Sequence, residues 1–142
     1  MSAKEYLMQI RRLSDLIASN KRRIEELELN IVGIRAIDYS GDKVQASPND
    51  AMADSIARLV DLQQDVITQT VELQEKKAMI MGEIRRIDDL RYINLLTYRY
   101  IDCLRWEQIA VNMNETMRHI FRIHGKALAE FERANGDALK MS

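Results

Sequence analysis

The sequence is poor in the residues that crosslink a chain, break its helices or embed it in a membrane. Its 142 residues include one cysteine, Cys103, which excludes an internal disulfide and a zinc site built from several cysteines. One proline and five glycines, with 30% charged residues, favour helices. No apolar run approaches the roughly 20 residues that span a bilayer, and the charged N-terminus has no signal-peptide core. We therefore expect an all-α, cytoplasmic protein without a membrane partner.

Motifs for catalysis and cofactor binding are also missing. The sequence has no glycine-rich phosphate loop and no Ser-His-Asp spacing. Its two histidines, His119 and His124, are five residues apart, which separates them by about 140° around a helix and makes them poor ligands for one metal. Cys103 lies in an apolar stretch, which predicts a buried thiol. We expect no enzymatic activity, no bound metal and no cofactor.

Two long heptad patterns occupy the first 88 residues. The first predicts a helix over about residues 3–37, with isoleucine at every seventh position: Ile10, Ile17, Ile24 and Ile31. Asn20 lies in this seam, where it could fix the register and the number of partners or simply be tolerated near a rim. The second pattern predicts a helix that is capped by Ser47, starts at Pro48 and ends near Asp88, with a seam of Met52, Leu59, Val66, Leu73, Ile80 and Ile87.

The matched lengths of these two helices predict an antiparallel coiled-coil hairpin as a first domain, residues 1–88. Residues 39–47 break the pattern and supply one short loop between the helices. Val60 and Ile67 widen the apolar stripe of the second helix beyond one seam. Because two helices alone leave such residues in water, we expect further packing, either on the C-terminal helices or on a second copy. We predict self-association through the long helices, as a homodimer.

A helix-turn-helix is predicted in the second domain, residues 89–142. A helix from Leu90 to about Asp102 is followed by one that opens at Trp106, whose ring we expect to fill the core. The segment 112–115 then interrupts the helical pattern. The last six residues are expected to fray, because Asn135 and Gly136 end the final helix.

The final helix, Met117 to about Arg133, has two distinct faces. Thr116 can cap it, and its apolar residues at spacings of three and four predict one buried face: Ile120, Ile123, Ala127 and Phe131. Basic residues recur at every fourth position on another face: Arg118, Arg122 and Lys126. This basic face fits a major groove lined by phosphates. The predicted DNA-binding residues are Thr116, Met117, Arg118, His119, Arg122 and Lys126. For His119, a DNA-backbone contact and a solvated ring are equally open.

Several segments resemble small phage regulators of the RinA/ArpU type. They are Leu95-Leu96, Arg99-Tyr100-Ile101, Trp106–Ala110 and Arg122–Leu128 in the last third, and Ala3–Leu7, Met52–Ile56 and Leu59–Leu62 earlier. The last third is also similar to region 4 of sigma-70 factors, the part that contacts the promoter −35 element. The turn, Asn112–Glu115, lacks the glycine often found there, although an asparagine can adopt the same left-handed conformation.

This resemblance implies a sequence-specific regulator of phage or prophage late genes that binds double-stranded DNA in the cytoplasm of a bacterial host. Host RNA polymerase is the further partner that the resemblance implies. The alternative is a phage structural protein or DNA-packaging adaptor that uses the coiled coil and the helix-turn-helix for assembly.

Overall fold

The computed structural model describes residues 1–39 and 48–141, and every regular element in these ranges is helical. The elements are α1 (Ala3–Leu7), α2 (Gln9–Tyr39), α3 (Pro48–Ile84), α4 (Leu90–Leu96), a π-helical segment (Thr97–Ile101), α5 (Trp106–Met113), α6 (Met117–Ala134) and α7 (Gly136–Met141). The expected all-α class is therefore confirmed.

The first predicted helix is divided by a one-residue irregularity at Met8. Ser2 and Glu5 form a capping box at the start of α1, and α2 follows α1 directly. Backbone hydrogen bonds continue through the break, because the N–H of Met8 donates to the carbonyl of Lys4 and the carbonyl of Met8 accepts from Arg12. The chain thus keeps its helical direction across the irregularity.

The second predicted helix begins at Pro48 as expected, because the fixed φ of proline suits the first helical position. The predicted cap at Ser47 and the connecting residues 40–47 lie outside the described residues. At its other end α3 stops at Ile84, four residues before the predicted end. The N–H of Arg86 and the N–H of Ile87 donate to carbonyls three residues back, which tightens the chain and ends the regular helix.

Backbone contacts divide the chain into two compact units. Unit 1 contains residues 1–13 and the chain from Leu73 onwards, and unit 2 contains residues 14–72. The sequence-based division after residue 88 stays a prediction.

Unit 1 has a well-formed apolar core. Its fully buried side chains come from α1 to α6 and include Leu7, Ile10, Ile80, Ile84, Leu95, Leu96, Ile109, Ile120 and Phe131. α1, α4, α5 and α7 all pack against α6. The C-terminus corrects the sequence prediction, because residues 136–141 form α7 and Leu139 is buried in place of a frayed tail. Burial of Leu139 stabilises the helical conformation of this last turn.

Unit 2 buries much less of its apolar surface. Among the described residues of unit 2, Ile17 is the one hydrophobic side chain that is buried, and it is still 7% exposed. In the part of this unit that the structure describes, the exposed large hydrophobic side chains are Leu16, Leu29, Val32, Ile56, Val60, Ile67 and Val71. A hydrogen bond of 3.0 Å from the Asn20 side-chain amide to that of Gln69 joins α2 to α3. Unit 2 therefore has too little internal burial to account for its apolar residues.

Candidate nucleic-acid interface

The turn between α5 and α6 depends on an asparagine in a left-handed backbone conformation. Asn114 has φ 55° and ψ 49°. Its N–H donates to the carbonyl of Val111, and the N–H of Glu115 donates to the carbonyl of Ala110 at 2.9 Å. These two bonds satisfy carbonyls at the end of α5, in the pattern of a Schellman motif. The expectation that an asparagine supplies the left-handed residue in this turn is confirmed.

Thr116 begins α6 as predicted. Its hydroxyl oxygen accepts a hydrogen bond of 3.2 Å from the N–H of His119, and its own backbone is extended. This satisfies one of the free N–H groups of the first helical turn. The helix that follows, Met117–Ala134, matches the predicted span within one residue. Two local signals, Asn114 and Thr116, therefore set where α6 starts.

The two predicted faces of α6 are both present. The apolar face is buried through Ile120, Ile123, Ala127 and Phe131. Arg118, Arg122 and Lys126 are all exposed, and none of them forms a hydrogen bond or ion pair with another residue that the structure describes. Three cations in successive turns of one helix thus have no ion-pair partner in the part of the chain that the structure describes.

The other predicted site residues lie at the start of the same helix in different environments. Thr116 is exposed, while Met117 and His119 are half-buried. His119 Nδ1 lies against the carboxylate of Glu115, four residues earlier. This contact holds the imidazole beside the turn, so a DNA contact through His119 would have to compete with Glu115.

An aromatic contact that the sequence analysis missed lies beside the basic face. Trp106, the first residue of α5, meets Phe121 edge-on at 5.2 Å between ring centroids, and the Arg99 guanidinium lies 4.4 Å from the Trp106 centroid. Phe121 is 50% exposed and lies between Arg118 and Arg122 in sequence. Phe121 lies outside the apolar face of α6, and the neighbouring helix α5 begins with a tryptophan. These two features of the sequence could have predicted the contact between the rings. Trp106 is therefore half-buried and packs against α6, which corrects the expectation that its ring fills the core.

Behind the basic face, a half-buried histidine ties α6 to the π-helical segment. His124 Nε2 lies 2.7 Å from the Tyr100 hydroxyl, and the two rings stack. Burial, with Lys4 and Arg99 nearby, lowers the pKa of His124 to about 4, and burial raises the pKa of Tyr100 to about 12. Near neutral pH both groups are therefore neutral, so this hydrogen bond adds no charge behind α6.

Cys103 differs from its prediction. Its thiol is half-buried and lies 3.9 Å from the carbonyl of Tyr100. The residue adopts a left-handed φ of 56°, just after the π-helical segment. This conformation turns the chain towards α5 and leaves the thiol at the edge of the core.

Charge is divided unequally between the two units. The sequence of unit 1 contains fifteen Lys and Arg against eleven Asp and Glu, a net of +4, whereas unit 2 has six against eleven, a net of −5. The whole-chain charge of −1 conceals this division. The basic face of α6 therefore belongs to a unit that is itself positive, which favours polyanions.

Other kinds of site find no support in the described residues. In residues 1–39 and 48–141, no three His, Cys, Asp or Glu side chains are grouped to hold a metal ion. No helix in these ranges is both long enough and apolar enough to cross a membrane.

One family model matches the chain, over residues 34–132, and its description is "Protein of unknown function (DUF1492)". The match covers α3 to α6, and thus includes the turn and the basic face. No curated protein and no solved structure matches the chain.

Proposed function

The chain belongs to the DUF1492 family, whose description gives no function, and we propose that it is a sequence-specific regulator that binds double-stranded DNA through α6. In this proposal α5, the Asn114 turn and α6 act as a helix-turn-helix. The N-terminal part of α6 enters the major groove. Such helices contact base edges mainly through their first turns.

The observation that carries this proposal is the unpaired basic face of α6, opposite a fully buried apolar face. Arg118, Arg122 and Lys126 occupy three successive turns and have no partner among the described residues. Arg118 is nearest the start of the helix, so we assign it to base contact. Arg122 can share that role, and Lys126 is better placed for a phosphate.

The long helices supply the dimerisation part of the proposal. Asn20 bonds Gln69, while Leu27 and Leu62 line one groove in unit 2. As residue numbers rise along α2, their neighbours on α3 fall. This supports an antiparallel hairpin, and the exposed apolar residues of α3 in the same unit, such as Val60 and Ile67, support a homodimer. A symmetric dimer would bind an inverted repeat in DNA.

We take the regulated genes from the resemblance to RinA/ArpU-type phage regulators. On that basis the targets are late promoters of a phage or prophage in the bacterial cytoplasm, and host RNA polymerase is the second partner. The sigma-70 region 4 resemblance of the last third supports a promoter as the kind of DNA.

The test is DNA binding by an alanine variant of the basic face. A binding site is first selected from randomised DNA with the parent protein. The triple variant Arg118→Ala, Arg122→Ala and Lys126→Ala should then lose at least about tenfold in affinity for that site. Each phosphate contact removed should lower the salt slope by about one unit, and a lost guanine contact should cost about 1–3 kcal/mol and relax one position.

A matched control is available in unit 2. Lys21, Arg22 and Arg23 are exposed and also comprise two arginines and one lysine. Their triple alanine variant removes the same charge and should bind the selected site within about twofold of the parent. Circular dichroism checks the fold of both variants.

Two results would contradict the proposal. One is equal loss of affinity in both triple variants, which would indicate a response to charge alone. The other is a folded α6 variant that binds as tightly as the parent. In that case the packaging-adaptor alternative, which requires no promoter preference, becomes the better explanation.

A further inference from the structure

The α3 helix has a second apolar stripe that unit 2 does not cover. The stripe consists of four β-branched residues: Ile56 (43% exposed), Val60 (47%), Ile67 (62%) and Val71 (54%). With 3.6 residues per turn, these four positions fall within about 60° of one another around the helix. They therefore form one continuous line, defined here as the α3 stripe.

The α3 stripe is distinct from the face that α3 turns towards α2. Leu59, Leu62 and Val66 are half-buried, and their helical positions lie about 90–150° from the middle of the stripe, with an average of about 120°. An α-helix in a two-helix hairpin needs one apolar face, whereas a helix inside a larger bundle needs two. The sequence of α3 fits the second case.

The charged residues of this part of α3 are confined to a third, narrow line. Between residues 51 and 71 they are Asp54, Arg58, Asp61 and Asp65, at spacings of four, three and four. These positions lie within about 60° of each other and about 110–170° from the middle of the α3 stripe. Absence of charge around an apolar line is typical of the centre of a protein interface.

The α3 stripe is also symmetric about its own midpoint. Ile56 and Val71 are equally far from the point between Gln63 and Gln64, and so are Val60 and Ile67. A two-fold axis at that point would place Ile56 opposite Val71 of a second copy, and Val60 opposite its Ile67. Contacts of this reciprocal kind define the isologous interface of a two-fold dimer.

We infer that the α3 stripe packs antiparallel against the α3 stripe of a second copy, with the two-fold axis between Gln63 and Gln64. This inference rests on the proposed homodimer and specifies its surface and register. Charge favours the same arrangement. Unit 2 has a net charge of −5, so two copies can approach closely only where the acidic residues are absent, and the line Asp54, Asp61 and Asp65 points away from the partner.

Charge pairs placed across the inferred contact test both the surface and the register. Val60→Lys and Ile67→Glu, made separately, should each weaken dimerisation by at least about tenfold, because each puts two charges into an apolar contact. The double variant V60K/I67E should dimerise more tightly than either single variant, because each lysine then faces a glutamate of the second copy. Sedimentation equilibrium measures the monomer–dimer constant against the 16.5 kDa chain mass.

Leu29→Lys is the matched control. Leu29 is 73% exposed on α2, in the same unit but outside the α3 stripe, and its replacement should leave the dimer constant within about twofold. Circular dichroism checks that every variant remains helical.

Three outcomes would overturn the inference. The first is a parent protein that stays monomeric. The second is a monomer–dimer constant that neither single variant changes. The third is a double variant that dimerises more weakly than both single variants, which is what a parallel pairing predicts. Binding of each folded variant to a single selected DNA half-site separates this inference from the proposed function. If a variant loses the dimer but still binds the half-site, the proposed role of α6 stands. If dimerisation follows the predicted pattern but the protein does not bind DNA, only the DNA-binding proposal is refuted.

Discussion

Replacement of Asn114 tests whether a left-handed residue sets the turn before α6. At φ 55° and ψ 49°, a residue with a β-carbon costs about 1–2 kcal/mol, and asparagine tolerates this region better than alanine does. Asn114→Ala should therefore destabilise the protein by about 1 kcal/mol. Asn114→Gly removes the steric cost, which stabilises the fold, but it also makes the unfolded chain more flexible, which destabilises the fold. Because the two effects oppose each other, the free energy of unfolding should stay within about 0.5 kcal/mol of the parent value.

The assay is urea unfolding followed by helical circular dichroism, with the thermal midpoint as a second measurement. A loss of 1 kcal/mol corresponds to a fall of about 3–4 °C for a chain of this size. Asn112→Ala is the control, because Asn112 lies inside α5, where alanine is the better helix former. The reasoning is refuted if Asn114→Ala and Asn112→Ala have the same stability, or if Asn114→Gly is the least stable of the three.

Two further predictions concern buried polar pairs of unit 1. The pKa of His124 is lowered from 6.5 to about 4 in the folded protein. Between these two pH values the unfolded chain binds a proton that the folded protein does not. The free energy of unfolding is therefore full above about pH 6.5 and falls as the pH drops towards 4. The full shift equals about 3 kcal/mol, and partial exposure reduces this to roughly 2, measured by urea unfolding across pH. Tyr6→Phe should cost about 1.5–3 kcal/mol, because the Tyr6 hydroxyl donates to the buried Glu83 carboxylate at 2.6 Å.

Each of these predictions has its own control. His124→Gln cannot titrate in this range, so its stability should vary less between pH 6.5 and 4, and parallel pH profiles for parent and variant would contradict the first prediction. Tyr98→Phe removes a hydroxyl that has no hydrogen-bond partner among the described residues. If it costs as much as Tyr6→Phe, the Glu83 contact is not the cause of the loss.

Features set by neighbours in sequence could be predicted here. The cap at Thr116 and the two faces of α6 each depend on residues within a few positions of one another, so spacing alone located them. The start of α3 at Pro48 is of the same kind. Such features follow from local hydrogen bonds and the 3.6-residue period, both of which can be read from neighbouring residues. The sequence also indicated an asparagine for the left-handed turn residue, but it did not distinguish Asn114 from Asn112.

Contacts between distant residues could not be predicted in this way. The Tyr6–Glu83 hydrogen bond joins residues 77 positions apart, and the Tyr100–His124 contact joins residues 24 apart. The π-helical segment also has no signal in composition: the N–H of Asp102 donates to the carbonyl of Thr97, five residues back, in a stretch that was predicted as continuous helix. Tertiary packing selects this geometry, and it places Tyr100 where its hydroxyl meets His124.

The division of charge explains how a chain with a net charge of −1 can still bind DNA in the proposed way. Non-specific affinity for DNA follows the total electrostatic attraction to phosphates, and the acidic residues of unit 2 reduce it. Specific affinity depends on contacts made at base edges by a few side chains. Arg118 and Arg122, the proposed base-contacting residues, are both exposed. The ratio of specific to non-specific affinity decides whether a regulator finds its site among competing DNA. An acidic unit 2 joined to a basic unit 1 would raise that ratio without altering any base contact.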